Sequence, residues 1–179
     1  MLQKVNVTIE GISPLLMHRY PLEPVEALDK KAPAEQAEIA AYRNPESGKL
    51  YVQGYAVQRA LVSGGTFSKG RGRASLQKQV AASILVTPEE IPLEPQEYII
   101  DARPVVIPST RGRIVRYRPR FEQWELRFNI EYENDLITEP QLKQIVIDTG
   151  TRVGLLDFRP EKKGMFGRFQ ISSWDADTE

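Results

Sequence analysis

The chain has 179 residues, with 24 Lys and Arg against 24 Asp and Glu, 41% apolar residues, one histidine and no cysteine. That length and composition suit one soluble domain with a sizeable core and exclude a disordered tail. No disulfide, thiolate metal site or thiol nucleophile is available, a lone histidine excludes a His-based metal cluster, and zero net charge argues against an indiscriminate nucleic-acid binder.

Val5, Val7 and Ile9 alternate with Lys4, Asn6 and Thr8, so residues 3–10 are predicted to be a half-buried first strand. It follows Met1 directly, with no basic segment and apolar run of secretory type, and no apolar run reaches membrane-spanning length; the cytoplasm is the expected compartment. Gly11, Ser13 and Pro14 interrupt the strand, and Leu15, Leu16 and Met17 continue it as a bent, partly buried segment into His18, Arg19 and Tyr20.

Residues 21–33 read as a Pro-punctuated loop, and Pro33 opens a helix to about Arg43. This region is acidic through Glu23, Glu26, Asp29, Glu35, Glu38 and Glu46, an acidic surface suited to the basic surface of a neighbouring copy. A turn over residues 44–48 precedes a short strand at Leu50, Tyr51 and Val52, and a helix over 55–62 buries Val57, Ala60 and Leu61. Gly64 and Gly65 stop that helix, and residues 67–75, with Lys69, Arg71 and Arg73, form a basic loop. Residues 76–82 are predicted as a short helix and 84–86 as a short strand.

A strand over 98–107 and a perfectly alternating one from Trp124 to Tyr132 read as antiparallel partners. The connection between them, 108–121, carries Arg111, Arg113, Arg116, Tyr117, Arg118 and Arg120 and is much longer than a hairpin needs, which marks it as functional. Thr138 caps a last long helix, with Gln141 at capping-box spacing, ending near Leu155. Phe158, Arg159, Lys162, Lys163 and Gly164 form a basic turn, and Phe166 to Ile171 alternate as a closing strand. Gly164 and Gly167 allow the backbone close to a partner, Arg159, Lys162, Lys163 and Arg168 supply charge for phosphates, and Phe158 and Phe166 offer flat faces to bases.

Strand, insertion, helix, insertion, strand, basic hairpin, strand, helix, glycine loop, strand is the order of a ferredoxin-like, RRM-like βαββαβ fold of the α+β class. The expected organisation is one domain over 1–179, with insertions at about 20–50 and 64–96 and a basic hairpin at about 108–121. No run of RNP1 type is present, which argues against an ordinary RRM.

Three segments, GISPLLMHR at 11–19, LYVQGYAVQRAL at 50–61 and DTGTRVGLLDFRPEKKGMFGRFQI at 148–171, resemble the RAMP superfamily of CRISPR-associated proteins, in particular its backbone subunits, with a phage-encoded relative also conceivable. The resemblance implies a loop from Arg159 to Arg168 contacting a nucleic-acid backbone and an Arg-rich hairpin from Arg111 to Arg120 in the place of a thumb. The chain is short for such a subunit, and its loop has fewer glycines than the family's strongest members.

The expected function is non-catalytic binding of single-stranded nucleic acid, RNA favoured over DNA, by a homo-oligomer or a subunit of a ribonucleoprotein. Contacts are assigned to Lys69, Arg71, Arg73, Arg111, Arg113, Arg116, Tyr117, Arg118, Arg120, Phe158, Arg159, Lys162, Lys163, Phe166 and Arg168. No cofactor or metal is expected, since Asp101, Asp135, Asp148 and Asp157 lack ligand spacing and the Gly64 to Gly72 series lacks a phosphate-loop Lys. Asp157 is expected to pair with Arg159 or to cap a turn. Two alternatives stand beside this: a metal-independent endoribonuclease using His18, helped by Arg19 and Tyr20, and a phage structural or assembly protein whose arginine hairpin meets an acidic partner.

Overall fold

The structure, a computed structural model, describes residues 1–22, 24–70 and 72–176. Its main sheet has the order β4-β8-β1-β9, formed by Ile84–Thr87, Glu125–Glu133, Leu2–Gly11 and Phe169–Ala176, with every neighbouring pair antiparallel. Alternation in β1 puts Val5, Val7 and Ile9 on the same side as Leu126, Phe128, Ile130 and Tyr132 of β8. Against that side pack Val57, Ala60 and Leu61 of α3 (Gly54–Gly64) and Leu142, Ile145 and Val146 of α5 (Glu139–Asp148). Each fully buried side chain of this size contributes about 1.5–3 kcal/mol, so the two helices are held by burial of one stripe each. The opposite face carries Lys4, Asn6, Thr8 and Glu10 beside Glu125, Arg127, Asn129 and Glu131. It has no aromatic among these positions and is not basic, unlike the binding face of an RRM.

A second sheet, β2-β7-β6, joins Leu15–Leu16, Arg113–Phe121 and Ile99–Val106. Here the strand pairing expected from the sequence is corrected. The alternating strand β8 pairs with β1 and β4, while β6 pairs with β7, in register from Ile99↔Arg120 to Val106↔Arg113. The arginine-rich stretch is therefore not a loop between two strands but is itself a strand. Val115, Tyr117 and Phe121 interleaved with arginines satisfy a two-residue period, and only residues 107–112 turn, closed by Arg111 N–H to the Ile107 carbonyl at 2.8 Å.

The insertion after β2 holds the four-residue α1 (Val25–Leu28) and α2 (Pro33–Ile39), which lies across β7; β3 (Tyr51–Gln53) pairs with β5 (Glu90–Pro92), and α4 (Gln77–Ser83) leads into β4. Two acids of this insertion meet the chain's own cations: Glu38 pairs with Arg43 and accepts from Tyr98, and Asp29 lies 3.8 Å from Arg116. The last helix ends earlier than its periodicity suggests, because its hydrogen-bond ladder widens to π geometry over Thr149–Val153 before Gly154 turns with φ +73°. The closing strand starts at Phe169 and continues to Ala176; Phe166, Gly167 and Arg168 belong to the loop before it. Among the described residues no helix is long and apolar enough to cross a membrane, and no group of three or more His, Asp and Glu is placed to hold a metal ion.

Candidate nucleic-acid interface

Where β1 ends, the indole of Trp124 occupies the space a side chain on Gly11 would need, and its N–H donates to the Ser13 carbonyl at 2.9 Å. The chain is thereby bent out of the main sheet. Residues 12–16 are then sewn to the loop 154–168: Ile12 N–H donates to Arg168 at 2.8 Å, Gly167 N–H to Pro14 at 2.8 Å, and Asp157 N–H to Leu16 at 3.1 Å. These backbone bonds fix His18, two residues further on, beside Asp157, with Nδ1 3.7 Å from the carboxylate.

Asp157 also pairs with the guanidinium of Arg118, which is 3% exposed and leaves Nε and Nη2 without a partner. Burial pushes the Asp157 carboxyl up, but His18, Arg118 and the Phe158 backbone N–H outweigh it and hold the group below its ordinary range. The expected Asp157–Arg159 pair does not form. Arg159 instead pairs with Glu161 at 2.9 Å and donates to the Leu156 carbonyl at 2.8 Å.

Beside this pair opens a polar cleft of about 400 Å³, walled by His18, by Tyr55, Arg59 and Ser63 on one face of α3, and by residues 154–162. The three sequence segments singled out above, 11–19, 50–61 and 148–171, each supply part of its wall. Glu161 is held below its ordinary range: burial raises it, but Arg159, Ser63 and Lys162 prevail. The cleft thus presents Arg59 and Lys162 without ion pairs among the described residues, together with a half-buried imidazole and an exposed phenol ring.

The β6–β7 hairpin stands on the same loop. Arg103 and Arg120 lie over the Phe166 ring at 4.7 and 5.4 Å, and Arg103, Arg120 and Asp101 form a cluster in which Asp101 is 2.8 Å from Arg103 and 3.5 Å from Arg120. The two basic segments therefore do converge, yet much of their charge is spent where they touch. Arg118 is buried on Asp157, Arg120 lies between Asp101 and Glu122, and Arg116 faces Asp29. Phe166 is 2% exposed and packs edge-on against Phe158 at 6.4 Å. Arg118 and Phe166 thus leave the set of candidate contacts: neither has a surface to offer a strand.

The two loop glycines are corrected as well. A Cβ on Gly164 would run into the Phe158 carbonyl and one on Gly167, at φ +74°, into that of Leu155, so both let the chain approach itself rather than a ligand.

Arg111 and Arg113 at the hairpin tip, and Lys162, Lys163 and Arg168 on the loop, are exposed with no ion pair among the described residues. Phe158 is 44% exposed, whereas Tyr117 is half-buried against α2 in a small recess with Leu28 and Ile39. Lys69 and Arg73 are exposed but lie beyond the C-terminal end of α3, away from the hairpin, and Arg71 lies outside the described residues. Tyr20 is 84% exposed and, like Arg19, does not line the cleft.

Tyr55 and Arg59 escaped the sequence reading, which followed the buried stripe of α3 and not its opposite face. An aromatic and an arginine four residues apart, on the side away from Val57 and Leu61, were the available signal.

No protein-family model matches the chain, and no curated protein matches it. Among solved structures it resembles a chain from the cryo-EM structure of the Type III-B Cmr-beta bound to cognate target RNA, with a TM-score of 0.58 at 10% identity. The likeness covers 98% of this chain and 60% of that one, so this chain spans about three-fifths of its neighbour's length. At that identity the likeness is one of fold: an α+β chain with antiparallel sheets.

Proposed function

We propose that the chain is a RAMP-type, ferredoxin-like subunit that binds single-stranded nucleic acid, RNA before DNA, without cleaving it, and assembles in several copies along the strand or within a ribonucleoprotein. The sheet order β4-β8-β1-β9, with α3 between β1 and β4 and α5 between β8 and β9, is the split βαβ order and supports the fold reading. The structural neighbour, a chain from an RNA-bound Cmr assembly, supports the choice of ligand.

The observation that carries the proposal is the cleft itself. Three segments distant in sequence close on it, Arg59 and Lys162 in its wall make no ion pair among the described residues, and Lys163 on the loop and Arg111 and Arg113 at the hairpin tip are exposed cations suited to phosphates further along a strand. The test is fluorescence anisotropy with a labelled thirty-nucleotide RNA. Affinity falls steeply with salt, with a log–log slope of about −0.7 per neutralised phosphate. No binding at low salt removes the proposal.

One observation favours a second reading, metal-independent RNA cleavage. His18 sits in the cleft with Asp157 beside Nδ1, the arrangement that orients an imidazole to take a proton from a 2′-hydroxyl. That oxygen then attacks the adjacent phosphorus and expels the 5′-oxygen, which takes a proton from water, leaving a 2′,3′-cyclic phosphate and a 5′-hydroxyl; Arg59 and Lys162 in the same cleft wall suit the charge that develops, and the imidazolium returns its proton to solvent. Incubating RNA with the protein in chelator, beside His18→Ala, separates the readings: intact RNA in both samples supports simple binding, and cleavage abolished by the substitution supports the second.

A further inference from the structure

We infer that the ring of Phe67 and the guanidinium of Arg152 form a stacking platform for one base of a single-stranded RNA, at a subsite separate from the cleft around His18. The inference rests on the binding function proposed above and adds a location and a mode of contact to it.

Phe67 ends the 3₁₀ turn Gly65–Phe67 that extends α3, and Arg152 lies in the π turn after α5. The guanidinium carbon is 4.9 Å from the ring centroid, yet the ring is 46% exposed and the Arg152 side chain 55% exposed. A phenylalanine left half in water at the mouth of an open cleft of about 490 Å³ is not serving the core. The lining of that cleft includes Gln144, whose amide matches the polar edge of a base, and Lys69, a phosphate partner; the Gln141 amide oxygen beside them is already held by the Thr138 cap. Asp148 lies 3.9 Å from Arg152 and orients it from below.

The path between the two sites is short. Ser63 lines the first cleft and Phe67 the second, four residues or one helical turn apart, a rise of about 6 Å. Gly154 and Arg152 bracket the same step on the other wall. A strand leaving the first cleft along α3 therefore reaches the platform within about two stacked-base steps of ~3.4 Å each.

The experiment compares two labelled strands of equal length, an RNA and a ribose-phosphate chain without bases, on the wild-type protein and on Phe67→Ala, Phe67→Trp and Arg152→Gln. A stacked base is worth about 1–3 kcal/mol, so Phe67→Ala weakens RNA binding about tenfold. It leaves the baseless strand unaffected, Phe67→Trp restores RNA binding, and Arg152→Gln lowers affinity for both strands. An unchanged melting temperature for Phe67→Ala shows that the fold is intact. Equal RNA binding by wild type and Phe67→Ala, or equal loss on both strands, overturns the platform while leaving the binding function standing. A wild-type protein that binds neither strand overturns both.

Discussion

At the base of the β6–β7 hairpin Arg116, Arg118 and Arg120 each face a carboxylate, and Arg118 is buried to 3%, whereas at the tip Arg111 and Arg113 extend into solvent. The same alternating strand thus contains structural cations and free ones, separated by whether a carboxylate of the loop, of the neighbouring strands or of the insertion lies within reach. Arginine density along the chain overstates the charge the surface offers. Near the loop the guanidiniums act as spacers and cross-links, stacked on Phe166 and tied to Asp101 and Asp157, and they set the angle at which the hairpin stands. Away from it they remain available to phosphates.

The sharpest way to break this contrast is to remove the carboxylate that holds the buried cation. Asp157→Ala strands the Arg118 guanidinium, and an uncompensated buried charge costs about 3–5 kcal/mol; because Asp157 is itself one-third exposed, the expected loss is at the low end, about 3 kcal/mol in a denaturant melt. Arg118→Met costs less, since the carboxylate it abandons reaches water. Gly167→Ala comes next, at about 2–3 kcal/mol, because φ +74° disfavours any side chain and a Cβ meets the Leu155 carbonyl. It removes no charge, so any loss of RNA affinity that accompanies it measures the loop's geometry alone.

Paired substitutions sharpen the contrast at the level of binding. Arg111→Ala with Arg113→Ala flattens the salt dependence of RNA affinity by about 1.4 log units per decade, at about 0.7 per lost phosphate contact. Arg116→Ala with Arg120→Ala leaves that slope unchanged although it removes the same formal charge. Equal effects from the two pairs would show that the distinction between base and tip is wrong.

Much of the main sheet was legible because its strands obey simple periods: Val5, Val7 and Ile9, and Leu126 to Tyr132, face the helices as the alternation predicts. The helix ends of α5 were legible at Thr138, whose capping box is present in full, but not at Asp148, where the shift to a π turn has no local signature. Strand pairing was misread because alternation gives a strand's faces but not its neighbour. Residues 113–121, read as a basic loop, meet the same two-residue period as β8, and charge density obscured it. Of the candidate site, the exposure of Lys162, Lys163, Arg168 and Phe158 was legible from residue type and their place in a polar turn. The burial of Phe166 and Arg118 was not, since it depends on Asp157 and Asp101 arriving from elsewhere in the chain.

The smallest expected effect concerns acid. The Asp157 carboxyl lies below its ordinary 3.8 in the folded chain, so its pairing adds stability that is fully present above that value and is lost as pH falls through the lower, folded-state value. Asp157→Asn keeps the side chain's shape but cannot ionise, so the stability gap between wild type and variant closes as pH falls below about 4. The hairpin tip gives the matching control: Arg111→Ala and Arg113→Ala shift the acid limb of the stability curve by nothing, because no carboxylate among the described residues depends on them. An unchanged gap at low pH would mean that His18 and Arg118 do not hold Asp157 ionised. The base of the hairpin would then owe its burial to packing against Phe166 and not to charge.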